Sequence, residues 1–292
     1  MTAATSSSNT SSPRVWFITG ASRGIGARIA EAALAQGDAV VAAARDAASI
    51  DKRFGRHDAL LPVALDVTDE AQAARAVQAG LARFGRIDVL VNNAGYGLLG
   101  AVEEASAEEV RPLYDTNVFG LLNVTRAVLP AMRERRAGHV INISSLGGYQ
   151  SGPGFGVYCS TKFAVEGLTE ALHGELAPLG IHATVVEPGY FRTEFLDSTS
   201  LSVSPRILGD YAATAGAVRE AATRINLNQP GDPVRLAQAV MQLATSATPP
   251  LRLPLGTDTL RVISEKHAFV EKETAQWKAL AASTDFPKDV VA

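Results

Sequence analysis

The chain has 292 residues, 47% of them apolar and 20% charged, a balance that can bury a sizeable core. Its net charge of −3 carries no electrostatic footprint for nucleic acid or an anionic membrane surface. A single cysteine, Cys159, excludes an internal disulfide and fits a reducing cytoplasm; the five histidines (His57, His139, His173, His182, His267) show no metal-ligand spacing, so no metal site is expected.

Residues 1–13 are almost all Ser, Thr, Ala and Asn, without the apolar core of a signal peptide, and a disordered tail is expected there. Val15 to Ile18 is a short apolar run ending in Thr19-Gly20, read as a buried strand feeding a turn, and Ile25 to Leu34 has apolar residues at helical spacing up to Gly37. Ala39–Ala44, Ala59–Leu65 and Ile87–Val91 read as further strands, with a helix over Ala71–Phe84 ended by Gly85. Ala107–Arg135 reads as one long helix in which Pro130 places a kink. His139–Ser144 is a fifth strand, Val157–Leu179 a helix, His182–Glu187 a sixth strand and Val234–Thr245 a helix. Leu251–Leu255 gives a seventh strand, and Asp258–Ala282 a closing amphipathic helix whose charges (Glu265, Lys266, Glu271, Lys272, Glu273) form a solvated face. Strands apolar throughout, alternating with helices, indicate a parallel sheet covered on both faces. The expectation is an α/β fold of the doubly wound, Rossmann type, with a mostly seven-stranded parallel sheet in one domain spanning 14–292. Tyr190–Gly231 shows no clean strand and is rich in Ser, Thr and Ala, so it is read as a substrate lid. No apolar run approaches the ~20 residues of a membrane span.

Thr19-Gly20-Ala21-Ser22-Arg23-Gly24-Ile25-Gly26 joins the first strand to the first helix. Phosphates need bare backbone N–H groups and the positive end of a helix, and glycines permit both the turn and the close approach. The spacing is G-x-x-x-G-x-G rather than the commoner G-x-G-x-x-G. Tyr158 and Lys162 stand at i and i+4, on one helix face. A phenol is a poor base at its ordinary pKa near 10, and an ammonium one turn away favours the phenolate, so a lowered Tyr158 pKa is expected. Ser145 ends the fifth strand, where its hydroxyl would hold a substrate oxygen, and Asn117 sits mid-helix, a poor place for Asn unless its amide bonds something.

The T-G-x-x-x-G-x-G turn, Asn92-Asn93-Ala94-Gly95, Asn117, Ser145, Tyr158, Lys162 and Pro188-Gly189 with Thr193 together resemble the short-chain dehydrogenase/reductase family, from about Val15 to Thr193. Beyond Thr193 the chain resembles, more loosely, a bacterial subgroup grouped with 17β-hydroxysteroid dehydrogenases, a likeness that does not establish steroid activity. The resemblance implies an oxidoreductase that moves a hydride between nicotinamide and a carbonyl or secondary alcohol, with Tyr158 as the acid–base. It implies that Ser145 polarises the reacting oxygen, that Lys162 holds the nicotinamide ribose, and that Asn117 binds a water linking Lys162 to solvent. It places the cofactor against Gly20, Ser22, Arg23, Gly24, Ile25 and Gly26, against Asn93, Ala94 and Gly95, and against Pro188, Gly189 and Thr193, with Asp66 and Val67 flanking the adenine. Dimers or tetramers paired through Ala107–Arg135 and Val157–Leu179 are implied too.

The cofactor expected is NADP(H). An NAD-specific site has an Asp or Glu at the end of the second strand, whose charge repels a 2′-phosphate. Here that position is Ala44, followed by Arg45, whose forked donors suit a phosphate, and Arg23 adds a second positive charge. Tyr96, Leu98, Leu99, Tyr149 and Phe155, with Phe191, Phe195, Leu196 and Tyr211 from the lid, are candidates to wall an apolar pocket. Cys159 is read as a small packing residue. Two rival readings are a non-catalytic NADP-binding sensor and a nucleotide-sugar epimerase or dehydratase; the second is disfavoured by the glycine spacing and the lack of a larger substrate domain.

Overall fold

A computed structural model describes residues 13–286; the tail expected to be disordered lies outside them except for Pro13. The chain runs β1 (Val15–Thr19), α1 (Gly24–Ala35), β2 (Ala39–Ala44), α2 (Ala48–Phe54), β3 (Leu60–Ala64), α3 (Glu70–Phe84), β4 (Val89–Asn92) and β5 (Gly97–Leu99). It continues with α4 (Ala107–Tyr114), α5 (Gly120–Arg135), β6 (Gly138–Ile143), α6 (Gly156–Leu176), β7 (Ile181–Pro188) and β8 (Leu201–Val203). The last elements are α7 (Ala217–Ile225), α8 (Pro233–Thr245), β9 (Arg252–Leu255) and α9 (Thr257–Ala282). Seven parallel strands form one sheet in the order β3-β2-β1-β4-β6-β7-β9.

Both faces of this sheet are buried, which is why its strands read as unbroken apolar runs. Trp16, Ile18, Val40 and Val91 face α1 and α8 (Ile29, Ala33, Leu236, Val240), while Phe17, Val41, Leu90 and Val140 face α3 and α5 (Val77, Val124, Val128). Strand order reverses between β1 and β4, and the loops after these two strands flank the crevice where ligands bind in such sheets.

Polar side chains also cross this interior. Asn92 Nδ2 donates to Thr125 Oγ1 and Asn142 Oδ1, and Asn142 Nδ2 donates to Thr169 Oγ1, each at 2.9 Å. This ladder ties α5 and α6 to β4 and β6 at the ends where the tyrosine and lysine lie.

Four features differ from expectation. Ala107–Arg135 is two helices separated by a wide π turn at Asp115–Phe119, and α5 runs through Pro130. The segment read as a strandless lid contains β8, which pairs with β5, and α7. Three paired residues are too few to make an alternation visible in sequence. The short helix α2 carries no periodic apolar stripe beyond the buried Ile50. Finally, only the first turns of α9 close against the body: Thr259 is buried, and residues from 267 onward are exposed. Among the described residues no helix is long and apolar enough to cross a membrane.

His139, at the start of β6, gives the fold a pH dependence. Thr184 Oγ1 donates to the Pro250 carbonyl, so it accepts from His139 Nε2–H at 3.0 Å. Burial, helped by the neighbouring His182, pushes the His139 pKa from 6.5 down to about 3. Below pH 6.5 the unfolded chain therefore takes up a proton that the folded chain refuses, and stability falls as pH drops, by up to about 1.4 kcal/mol per pH unit. Thermal melts of His139→Gln between pH 7 and pH 5 should show a shallower loss of Tm than the unmutated protein; equal slopes would count against this account.

Candidate active site

The turn after β1 is built for an anion. Gly20 and Gly24 take positive φ, and a Cβ on Gly26 would lie 2.5 Å from the Gly20 carbonyl oxygen and against the Asn93 amide. Helix α1 has neither a side-chain cap nor an acidic residue in its first turn, so its leading N–H groups are free for a ligand. Thr19 locks the turn to the other side of the crevice: its Oγ1 accepts from the N–H groups of both Asn93 and Ala94 at 2.9 Å. Asn93 Nδ2 donates back to the carbonyls of Thr19 and Gly20.

A cavity of about 1190 Å³ opens from this turn to the lid. Every expected site residue lines it except Gly26 and Asn117. Gly26 lies beneath the turn, as its contacts require. Asn117, carried by the π turn, is 2% exposed and stands behind Gly95. Its Nδ2 donates to the Tyr96 carbonyl (2.9 Å) and to Thr161 Oγ1 (3.1 Å), while its Oδ1 accepts from Tyr96 N–H (3.1 Å). These bonds make Asn117 a brace on the Gly95–Tyr96 loop beside Lys162. A Cβ on Gly95 would sit 3.0 Å from Asn117 Oδ1 and 3.8 Å from Lys162 Nζ, so a side chain there would push on the Asn117 amide.

Tyr158 is 7% exposed, its ring flanked by Phe155 (centroids 6.0 Å) and by Phe195 from the lid (5.6 Å). Lys162 Nζ lies 5.9 Å from that ring and donates to the Ile143 carbonyl at 2.8 Å. The expected lowering of the Tyr158 pKa is not found. Burial holds the phenol above its ordinary value, and a hydrogen bond with Ser145 opposes this only in part. Lys162 is pushed down to about 8 by burial, against the pull of Glu166. At neutral pH Tyr158 is thus a phenol and a proton donor, beside a lysine that is mostly charged.

Arg45 is exposed at the cavity rim and, among the described residues, forms no ion pair with Asp46 or Asp51. Arg23 instead reaches across to the lid, donating to the Thr199 carbonyl at 2.6 Å. Leu98 and Leu99 are buried in β5 rather than walling the cavity; Tyr149 meets His267, and the Tyr211 hydroxyl meets Glu103. Tyr96, Phe155, Phe191, Phe195 and Leu196 do line it.

Sequence reading missed the ties that hold the lid and a buried acid cluster behind the site. Glu104, fully buried, accepts from Ala101 and Leu208 N–H and pairs with Arg219 of α7. Glu166 and Glu187 lie beside Arg252. The available signal was a carboxylate, Glu187, near the end of an almost wholly buried strand.

A family model described as short chain dehydrogenase matches residues 14–203. Among curated proteins, Oxidoreductase BOA17 of Botryotinia fuckeliana is 39% identical over 274 residues, covering 93% of this chain and 99% of that protein. The 3-ketodihydrosphingosine reductase of Bacteroides thetaiotaomicron is 37% identical over 84% of this chain and 88% of its own length. Among solved structures, a short-chain dehydrogenase from Streptomyces avermitilis has a TM-score of 0.88 at 41% identity, covering 94% of this chain and all of that one. A short-chain dehydrogenase/reductase from Burkholderia phymatum in complex with NAD has a TM-score of 0.78 at 26% identity over 89% of this chain and 95% of that one. A serine dehydrogenase complexed with NADP+ has a TM-score of 0.70 at 30% identity over 82% of this chain and 94% of that one. With the phosphate turn, the Tyr158–Lys162 pair and Ser145 gathered in one cavity, these matches make the chain an oxidoreductase of the short-chain dehydrogenase family.

Proposed function

We propose that the protein reduces a ketone or aldehyde carbonyl, or oxidises the corresponding alcohol, with NADP(H) as the hydride carrier. The observation that carries this is the buried Tyr158 phenol, one turn from Lys162 and sharing one cavity with Ser145 and the anion-binding turn. Solved relatives named with NAD or NADP bound support a nicotinamide cofactor. The free N–H groups at the start of α1 would hold its pyrophosphate, and Lys162 its ribose. When bound, the nicotinamide supplies or accepts the hydride.

The chain's own part is proton handling and positioning. Ser145 and Tyr158 bond the carbonyl oxygen, and Tyr158 passes its phenolic proton to that oxygen as negative charge develops there. Lys162, cationic and fixed by the Ile143 carbonyl, stabilises the phenolate left behind. Phe155, Phe195, Leu146, Val218 and Val262 give the substrate end an apolar wall, which favours an apolar or aromatic substrate. The Bacteroides relative named for a ketone reduction supports the carbonyl class. Residues 190–231 act as the lid, tethered by Arg23–Thr199 and Glu104–Arg219. Pairing of two or four copies through α5 and α6 is supported by Phe119 and Phe163, exposed beside and on those helices.

Tyr158→Phe should lower kcat by about a hundredfold or more while leaving cofactor affinity nearly intact. Lys162→Ala should damage both; undiminished turnover in either variant would overturn the assignment, and turnover by the unmutated protein with a ketone panel excludes a mere sensor.

The cofactor preference rests on Arg45, which has no acidic partner among the described residues and follows Ala44 rather than a carboxylate. A charge-assisted phosphate contact is worth about 1.5–3 kcal/mol, or roughly ten- to a hundredfold in affinity. Arg45→Ala should weaken NADPH binding by that factor and leave NADH binding nearly unchanged. Equal or better kcat/KM with NADH in the unmutated enzyme would reverse the preference. Light scattering at micromolar concentration should give a multiple of 30.6 kDa, and a 30.6 kDa species alone would count against pairing.

A further inference from the structure

Behind the reacting groups lies a buried acid pair that the hydride chemistry leaves unused. Glu166 stands one turn after Lys162 on α6 and is 6% exposed; Glu187, near the end of β7, is fully buried. Arg252 of β9 reaches both: its Nε lies 3.2 Å from Glu166 Oε2 and 3.4 Å from Glu187 Oε1, within ion-pair range but outside hydrogen-bond geometry. The same guanidinium pairs with Glu170.

All four carboxyl oxygens of Glu166 and Glu187 lack a donor when both groups are taken as carboxylates. Two like charges stripped of water and facing one another are strongly disfavoured. The two carboxyls converge on the same Arg252 nitrogen, where each acts on the other. A single proton between them turns the orphaned oxygens into an O–H···O⁻ bond and removes one charge. With Lys162 and Arg252 positive, Glu170 negative and one charge on the pair, the cluster is then neutral; without the shared proton it carries a net charge of −1.

The placement ties this cluster to the reaction. Three segments present groups to the cavity, and each carries a cluster member at or near the same position. Ser144 precedes Ser145 and, like Glu166, abuts Gly148; Glu166 is one turn from Lys162; Glu187 directly precedes Pro188-Gly189. The groups facing the pair are Lys162 and Glu170 on α6, Ser144 after β6 and Arg252 on β9. The turn Leu146–Gly148, against Glu166, brings no charge, and α9, packed on β9, directs its Asp258 to Tyr190 N–H.

We propose that Glu166 and Glu187 form a one-proton carboxyl pair that sets the charge of Lys162, with Glu166 as a positioning residue acting through that lysine. This rests on Lys162 taking part in the reaction as proposed above. The titration directions agree with the geometry. Burial, then the charge of Glu166, raises Glu187 to about 8, and Glu166 favours the protonated form of Lys162 against a burial that depresses it to about 8. The wild-type alkaline limb of activity therefore belongs near pH 8, where Lys162 loses its proton.

The test is the pH profile of kcat/KM for the unmutated enzyme, Glu166→Gln and Glu187→Gln, with thermal melts alongside. Glu166→Gln removes the charge next to Lys162 and should move the alkaline limb down by about one pH unit, a roughly tenfold loss on that limb with little change at the acid end. Glu187→Gln leaves Glu166 as an undivided carboxylate and should move the limb upward. A merely structural role would lower activity in both variants without displacing the limb, and that result would overturn the proposal. Infrared spectroscopy of the unmutated protein provides a readout independent of activity and of how the variants fold. A protonated-carboxyl C=O band should persist at pH 7, where exposed carboxylates are ionised, and be absent from both variants; its absence from the unmutated protein would overturn the proposal equally. If Lys162→Ala keeps full turnover, the reading of the lysine falls. If Lys162→Ala is inactive and the limbs do not move, only the acid pair falls.

Discussion

The site depends on keeping an ammonium group charged where almost no water reaches it. Lys162 is 7% exposed, and a lone cation in such surroundings sheds its proton unless something compensates. Compensation comes from the Ile143 carbonyl at 2.8 Å and from the acidic side chain one turn along the helix. Burial is needed all the same, because a phenol–lysine pair in open solvent would be screened and its proton lost to bulk water. The rest of the architecture follows from holding that lysine still, dry and charged.

The sheet supplies the rigidity. Lys162 and Tyr158 sit on α6, which the Asn142–Thr169 hydrogen bond fixes to β6, while Asn92 fixes α5 to β4. Between the two, the π turn lets Asn117 leave the helical path and brace the Gly95–Tyr96 backbone against the lysine. A regular helix through residues 115–119 would aim the amide elsewhere, and wide turns of this kind are found mostly where a side chain needs an unusual direction. The phosphate turn is held to the same frame by Thr19, whose one hydroxyl satisfies two backbone N–H groups across the topological switch. Cofactor position and lysine position are thus set by one continuous set of buried polar contacts.

This explains what was legible in the sequence. The seven sheet strands came through because strands buried on both faces, such as Val15–Thr19 and Ala39–Ala44, admit only apolar residues. The phosphate turn and the tyrosine–lysine spacing came through because their chemistry fixes residue type and separation within a few positions of the chain. Asn117 was visible as an oddity, an amide in a helical stretch, but its partners lie 21 and 44 residues away and could not be read from the local pattern. The direction of the Tyr158 shift was misjudged for a related reason. Spacing reveals a charged neighbour, whereas burial depends on Phe155 and on Phe195 from the far lid. Strands β5 and β8 went unread because each is only three residues long and exists through the other.

The two halves of the cavity are therefore built on different terms. The half around the phosphate turn is made of backbone: free N–H groups, positive-φ glycines and carbonyls held by the Asn93 amide, where several glycine positions leave no room for a side chain. The substrate half is made of side chains on a segment held by few points, among them the buried Glu104 with Arg219, the Arg23–Thr199 bond and the short β5–β8 pairing. Apolar walls such as Leu196 and Val218 can change size there at the cost of local packing alone, without touching the lysine or the turn. A fold arranged this way keeps its hydride chemistry fixed while its substrate drifts. On the proposed function, substrate identity is consequently set by residues 190–231 and their ties, and the reaction by the helix that carries Tyr158 and Lys162.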